Sequence, residues 1–97
     1  MPEAALSIVM PALNEERNIE AAIANTLAAF NEFSIPGEVV VVNDGSRDGT
    51  EALIRAVMAK DPRVRLVNHE TRQGIGASFW DGVDQAHGEF VCMLPRR

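Results

Sequence analysis

Asp44 and Glu15 are the two carboxylates of this chain best placed to meet a ligand, because each follows an apolar run and sits in a polar turn. Asp44 ends Val39-Val40-Val41-Val42-Asn43 and leads into Gly45-Ser46-Arg47-Asp48-Gly49-Thr50; Glu15 follows Ile8-Val9-Met10-Pro11-Ala12-Leu13-Asn14. A carboxylate in such a turn accepts hydrogen bonds from the N–H groups of a nucleobase, while free turn amides donate to anionic oxygens. Pro11 fixes the direction in which the chain leaves its run, and the small Ala12 lets a flat ring approach the backbone. Each polar residue also has a plainer role. Asp44 in Asp-Gly-Ser closes an Asx turn, Asp48 with Glu51 three residues on forms a capping box, Asn14 caps a helix, and Glu15 complements a helix dipole.

A third polar junction, Asn68-His69-Glu70-Thr71-Arg72-Gln73-Gly74-Ile75-Gly76-Ala77, is a glycine-bearing loop that opens a helical pattern. Amides around Gly74 can face phosphate, and Arg72 either counters a diphosphate or points into solvent. Gly74-x-Gly76 lacks the third glycine of a dinucleotide fingerprint, and Gly76-Ala77 equally suits close packing of a helix on a sheet. Asp44-x-Ser46-x-Asp48-Gly49 imitates the opening of a calcium loop, but Arg55 stands where the twelfth position requires a bidentate Glu. His69 and His87 have no partner at catalytic or metal-ligand spacing and read as surface histidines. Trp80 reads as core, and Cys92, inside Phe90-Val91-Cys92-Met93-Leu94, as a small buried thiol.

Such turns need a frame that gathers strand ends. Leu6 to Met10, Val39 to Val42, Val64 to Val67 and Phe90 to Leu94 read as four strands, with little of the alternation of a half-exposed sheet, as in parallel strands covered on both faces. Between them lie three helical patterns. The first puts Ile19, Ile23, Leu27 and Phe30 on one face, starts from an Asn14 cap and ends before Ile35-Pro36-Gly37. The second, from an Asp48 cap, carries Leu53, Ile54, Val57 and Met58 and stops at Asp61-Pro62; the third carries Ile75, Phe79, Val83 and Ala86 and closes on a left-handed Gly88 cap. The order β-α-β-α-β-α-β implies an α/β, Rossmann-like parallel sheet with right-handed crossovers, binding ligand over the carboxyl ends of its strands.

With 97 residues, 46% of them hydrophobic, the chain suits one small globular domain. Nine Lys and Arg against 14 Asp and Glu leave a net charge of −5, which argues against a nucleic-acid surface and leaves a phosphate ligand short of cationic partners that a divalent ion would supply. The single cysteine excludes an internal disulfide. No apolar run approaches the roughly 18 residues of a spanning helix, and Met1-Pro2-Glu3-Ala4-Ala5 has no basic signal region, so a cytoplasmic setting is expected. The fourth strand runs into Pro95-Arg96-Arg97 where the next ligand-facing turn of the sheet is expected. The chain therefore reads as a single partial domain, 1–97, truncated after its fourth strand, with an open edge that invites a homodimer.

Ser7-Ile8-Val9-Met10-Pro11-Ala12-Leu13-Asn14-Glu15-Glu16, Val40-Val41-Val42-Asn43-Asp44-Gly45-Ser46-Arg47-Asp48-Gly49-Thr50, Gly74-Ile75-Gly76-Ala77 and Ala86-His87-Gly88-Glu89-Phe90 together resemble the nucleotide-binding half of a family 2 glycosyltransferase of the GT-A fold. The four blocks cover almost the whole chain, and within the family their pattern is closest to polyprenyl-phosphate sugar transferases such as dolichol-phosphate mannose synthases. The resemblance implies a nucleoside-diphosphate sugar donor, Mg2+ or Mn2+ in the full-length enzyme, inversion at the anomeric carbon, and an acceptor such as a polyprenyl phosphate at the cytoplasmic membrane face. By the same resemblance Pro11, Ala12, Leu13 and Glu15 line the nucleoside pocket and Asp44 contacts the base, with Gly45, Arg72 and Gly74 as further contacts. Where the family carries an acidic metal motif after Met93, this chain has Leu94-Pro95-Arg96-Arg97, so no metal ligand or catalytic base is expected in it and no sugar transfer by it alone. Two other readings stay open: a non-catalytic nucleotide-binding or regulatory module, and a receiver- or flavodoxin-like interaction domain. The receiver reading lacks its phosphorylatable Asp, since Val67 leads into Asn68-His69.

Overall fold

The computed structural model describes residues 4–93, so Leu94 to Arg97, where the departure from the family motif falls, lie outside the described residues. Seven elements follow one another: β1 (Leu6–Ala12), α1 (Ile19–Glu32), β2 (Gly37–Asp44), α2 (Thr50–Lys60), β3 (Val64–His69), α3 (Ile75–Gln85) and β4 (Phe90–Met93). The strands form one sheet in the order β3-β2-β1-β4, every pairing parallel. The expected α/β order is therefore the observed one. The reversal of strand order beside β1 is a topological switch point, the place where open α/β sheets hold ligands.

Side-chain alternation assigns the two faces. Met10, Ala12, Val39 and Val41 pack with Ile19, Ile23, Leu27 and Phe30 of α1 and Ile54 of α2 in one core. The α1 stripe is the one its spacing predicts, and β2 buries every residue along its length. Val39 to Val42 have no exposed surface, and burying a valine side chain is worth roughly 1.5–3 kcal/mol, so this strand anchors both layers.

The opposite face belongs to α3, and here the expected stripe does not hold. The buried residues of α3 are Ser78 and Gly82, while Ile75 is 50% and Trp80 64% exposed. Close approach is the reason: a Cβ at Gly82 would lie 2.4 Å from Val9 Cγ1 and 3.1 Å from Val42 Cγ2. The helix presents its smallest residues to the sheet, and its apolar residues flank that contact. Gly76, expected to serve this packing, faces open space. Nor does Gly88 cap α3, which ends at an extended Ala86; a Cβ at Gly88 would lie 2.7 Å from both the amide nitrogen and the hydroxyl of Ser7.

The strand β4 also departs from its expected burial, with Phe90, Val91 and Cys92 exposed. Among the described residues it pairs only with β1, and apolar composition alone does not distinguish a covered strand from an edge strand.

At the amino ends of the strands a polar network fastens α3 to the sheet. Glu38, 6% exposed, accepts from the Ser7 hydroxyl at 2.6 Å, from the His87 amide at 2.5 Å and from Arg65 Nη1 at 3.3 Å. The Ser7 hydroxyl accepts from the Gly88 amide at 2.8 Å, and Arg65 Nη1 donates to the Gln85 carbonyl. Burial alone would raise the pKa of Glu38, but the Ser7 hydroxyl, the His87 amide and Arg65 outweigh it and hold the carboxyl below its ordinary value.

Candidate functional site

The first two polar junctions meet at the carboxyl ends of β1 and β2 and lace into one wall. The Asn14 amide donates to Ser46 Oγ at 2.9 Å, and Asn14 Oδ1 accepts from the Arg47 amide at 2.9 Å. The Glu15 amide donates to Thr50 Oγ1 at 2.9 Å, the Glu16 amide to Asp48 Oδ2 at 3.3 Å, and Glu16 Oε2 accepts from the Gly49 amide at 3.0 Å. Five bonds thus join two turns more than thirty residues apart.

This lacing corrects two local expectations. Asn14 does not cap α1: it adopts a left-handed φ of 52° and spends its side chain on Arg47. The chain makes a turn first, with the Asn18 and Ile19 amides donating to the Glu15 carbonyl, and α1 starts at Ile19. Nor do Asp48 and Glu51 form a capping box. Asp48 Oδ1 takes the Thr50 amide at 3.0 Å and its hydroxyl at 2.5 Å, whereas Glu51 pairs with Arg55 at 2.8 Å. The Thr50 hydroxyl and the amide bonds hold the Asp48 carboxyl below its ordinary pKa.

The third junction closes over Asp44. Asp44 is 2% exposed; its Oδ1 accepts from the Gln73 amide at 2.7 Å and faces His69 Nδ1 at 2.9 Å, and its Oδ2 accepts from the Gly74 amide at 3.0 Å. His69 Nε2 in turn lies 2.6 Å from Asp81 Oδ2 on α3. The surface reading of His69 is therefore wrong: its side chain is 10% exposed and bridges two carboxylates. Local spacing carried no sign of this, because Asp81 lies twelve residues along, on a helix. The available signal was that Asp44 and His69 each end a strand and stand opposite one another in register. His87 remains an exposed histidine, its side chain 67% accessible.

Opposed forces set the charges here. Burial would raise the pKa of Asp44, yet the Gln73 amide, His69 and the Gly74 amide together hold it below the ordinary carboxylate value. Burial would likewise lower the pKa of His69, but its bonds to Asp44 and Asp81 dominate and raise it.

Gly45 seats the turn against this loop. Its φ is +76°, and a Cβ there would lie 2.6 Å from the Arg72 amide nitrogen. Gly74, with φ +100°, precedes α3 and points its missing side chain into open space.

The expected site residues thus fall into two groups. Asp44, Gly45, Arg72 and Gly74 come together beneath and within the third loop. Pro11 and Glu15 instead line a groove of about 820 Å³ on the α1 side, with Ile8, Met10, Asn18 and Ala22 among its walls. Leu13 is half-buried and lies in neither group. Ala12 has no exposed surface, because its side chain belongs to the α1-facing core. Among the described residues no three His, Cys, Asp or Glu side chains converge as a metal site.

The model of a protein family described as glycosyl transferase family 2 matches residues 7–94. The chain belongs to that family. This family 2 chain is 34% identical over 94 residues to a dolichyl-phosphate beta-glucosyltransferase of Trichomonas vaginalis, and 34% identical over 90 residues to a prophage bactoprenol glucosyl transferase homolog of Escherichia coli. Each alignment covers 92% of this chain and 29% of the relative. Among solved structures it resembles a mannosyltransferase from Pyrobaculum calidifontis in complex with GDP-Man and Mn2+, with a TM-score of 0.69 and 26% identity over 94% of this chain and 27% of that one. It also resembles glucosyl-3-phosphoglycerate synthase from Mycobacterium tuberculosis in complex with Mn2+, UDP-glucose and phosphoglyceric acid, with a TM-score of 0.69 and 28% identity over 91% of this chain and 31% of that one. The family 2 chain therefore spans less than a third of the length of these relatives, and its sheet is the Rossmann-like sheet of GT-A enzymes. None of its described helices is long and apolar enough to cross a membrane.

Proposed function

We propose that this chain forms the donor-binding wall of a glycosyltransferase that takes a nucleoside-diphosphate sugar and, in its full-length form, transfers the sugar to a polyprenyl phosphate with inversion. The observation that carries the reading is the lacing of the β1–α1 and β2–α2 turns at the strand ends, which presets a polar wall before any ligand arrives. Pro11, Leu13 and Glu15 offer the nucleoside one flank. Gly45, Arg72 and Gly74 offer the other, with the Arg72 guanidinium as the cationic partner for a diphosphate. Asp44 serves this wall from beneath, since its oxygens hold the loop that carries Arg72 and Gly74; a nucleobase meets it directly only where that loop lifts.

Relatives with such names and ligands support the donor class and the polyprenyl acceptor. Mn2+ in two of the similar structures supports a divalent ion in the full-length enzyme. The described residues offer no cluster of His, Cys, Asp or Glu to hold one.

Calorimetric titration of the folded 97-residue chain with UDP and with GDP, each with and without Mn2+, tests the reading. Saturable heat with at least one nucleotide is expected. A folded sample that gives none with either would remove the donor wall.

A further inference from the structure

We propose that His69 is a positioning residue for the donor site: as an imidazolium bonded to both Asp44 and Asp81, it ties α3 to the strand ends and so holds the Arg72–Gly74 loop in place for a nucleoside diphosphate. The inference rests on the donor-site reading above and adds a proton-dependent element to it.

The geometry demands the charge. Both ring nitrogens face carboxylate oxygens, at 2.9 and 2.6 Å. An ionised carboxylate only accepts, so both nitrogens must donate, and imidazole does that only when doubly protonated. Asp44 is fixed in its ionised form by two further donors, the Gln73 and Gly74 amides. The charged groups that face the ring are Asp44 from β2 and Asp81 from α3.

Removing the proton breaks the bridge at a defined end. A neutral ring keeps one N–H and turns a lone pair toward the other carboxylate. Asp44, 3% exposed at its side chain, has nowhere to go; Asp81, 48% exposed, can turn to water. The Nδ1–H bond to Asp44 therefore persists and the Nε2 bond to Asp81 is lost. The link that fails is the one between sheet and helix through Asp81; the Gly74 turn that opens α3 keeps its amide bonds to Asp44 but loses the brace that His69 gives it from the body of the helix.

The sign follows from the raised pKa of His69. Its contribution is complete below the ordinary histidine value of about 6.5 and fades as pH rises through the higher native value.

Two variants separate this from plain structural support. In Asp81→Asn the side-chain amide rotates, accepting from a charged ring through oxygen and donating to a neutral ring through nitrogen, so the tie survives deprotonation. In His69→Gln the proton is gone at every pH. The experiment follows the His69 ring and the Gln73 and Gly74 amides by NMR from about pH 6.5 to about pH 9, a range that starts at the ordinary histidine value, and measures UDP and GDP affinity by calorimetry at both ends. In the wild type the two amides are expected to shift with the ring, and affinity to fall roughly fivefold, the low end of typical coupling between linked sites. Asp81→Asn and His69→Gln are expected to show flat affinity profiles. Amides that ignore the ring titration, or an Asp81→Asn profile that copies the wild type, would overturn the inference whether or not nucleotide binds. Amides that follow the ring in a protein that binds neither nucleotide at any pH would instead sink the donor-site reading beneath it.

Discussion

One face of β2 carries a similar arrangement at each of its two ends. Along the α3 side the strand reads Glu38, Val40, Val42, Asp44, with a buried carboxylate at each end and valines between them. The two carboxylates stand six residues apart, about 20 Å along a strand. In both places β3 supplies the basic partner, Arg65 for Glu38 and His69 for Asp44, and in both the network reaches α3 or its last turn. The difference lies in the cation. A guanidinium keeps its charge across the whole accessible pH range, whereas an imidazole does not. The Arg65 tie at one end of α3 thus keeps its charge at every accessible pH, whereas the His69 tie to Asp81 beside the candidate site lasts only while a proton is present.

The largest effect should come from the Arg65 end. Glu38→Ala leaves the Ser7 hydroxyl, the His87 amide and Arg65 without their shared acceptor. Breaking a buried pair by removing one partner costs about 3–5 kcal/mol, and because the Arg65 side chain is 30% exposed the expected loss is nearer ~3 kcal/mol. Urea unfolding between about pH 6 and about pH 9, a range in which Arg65 stays charged, should return a loss that varies less with pH than the His69→Gln gap does, the exposed His87 lying 3.8 Å from Glu38 in the same network. A loss that follows pH as steeply as that gap would erase the contrast between the two ends.

A matched pair of glycines sharpens it further. Gly45→Ala places a side chain at φ +76°, 2.6 Å from the Arg72 amide nitrogen, and Gly88→Ala places one 2.7 Å from Ser7. Overpacking of this kind costs about 1–3 kcal/mol, and the left-handed backbone adds about 1 kcal/mol at Gly45 alone. Both variants should lower the unfolding midpoint. Only Gly45→Ala should also weaken nucleotide binding, because only its clash displaces the Arg72 backbone. Equal affinities for the two variants would place the candidate site elsewhere.

The arrangement that produces this contrast was only partly legible in the sequence. Four consecutive valines at Val39–Val42 could only be a strand buried on both faces, and the Ile19-Ile23-Leu27-Phe30 stripe could only face a core; both are local patterns that packing obeys. The meeting of the Pro11–Glu15 and Asp44–Thr50 turns was legible too, because parallel strands with right-handed crossovers bring carboxyl ends together. Asn14 was not. Its cap-like context is local, while its bonds run to Ser46 and Arg47 across the wall. The sheet-facing side of α3 was hidden for a similar reason, since an apolar period marks where a helix is greasy, whereas contact with Val9 and Val42 selected where it is small. His69 was hidden most deeply, because a bridge from one strand to its neighbour and then to a helix leaves no mark at any fixed spacing.

The smallest effect should come from His69 itself. His69→Gln removes a charged donor whose side chain is 10% exposed, and its outer partner, Asp81, is 48% exposed and already shared with water. A hydrogen bond to a charged group is worth about 1.5–3 kcal/mol; screening at Asp81 brings the expected loss to about 1 kcal/mol. What distinguishes it from Glu38→Ala is its shape against pH rather than its size. The raised pKa of His69 means that wild type holds this stability fully below about pH 6.5 and sheds it as the ring deprotonates. The gap between wild type and His69→Gln in urea should therefore be widest at about pH 6 and close toward about pH 9. A gap that stays constant would mean that the ring contributes packing alone, and that both ends of α3 are held without regard to protons.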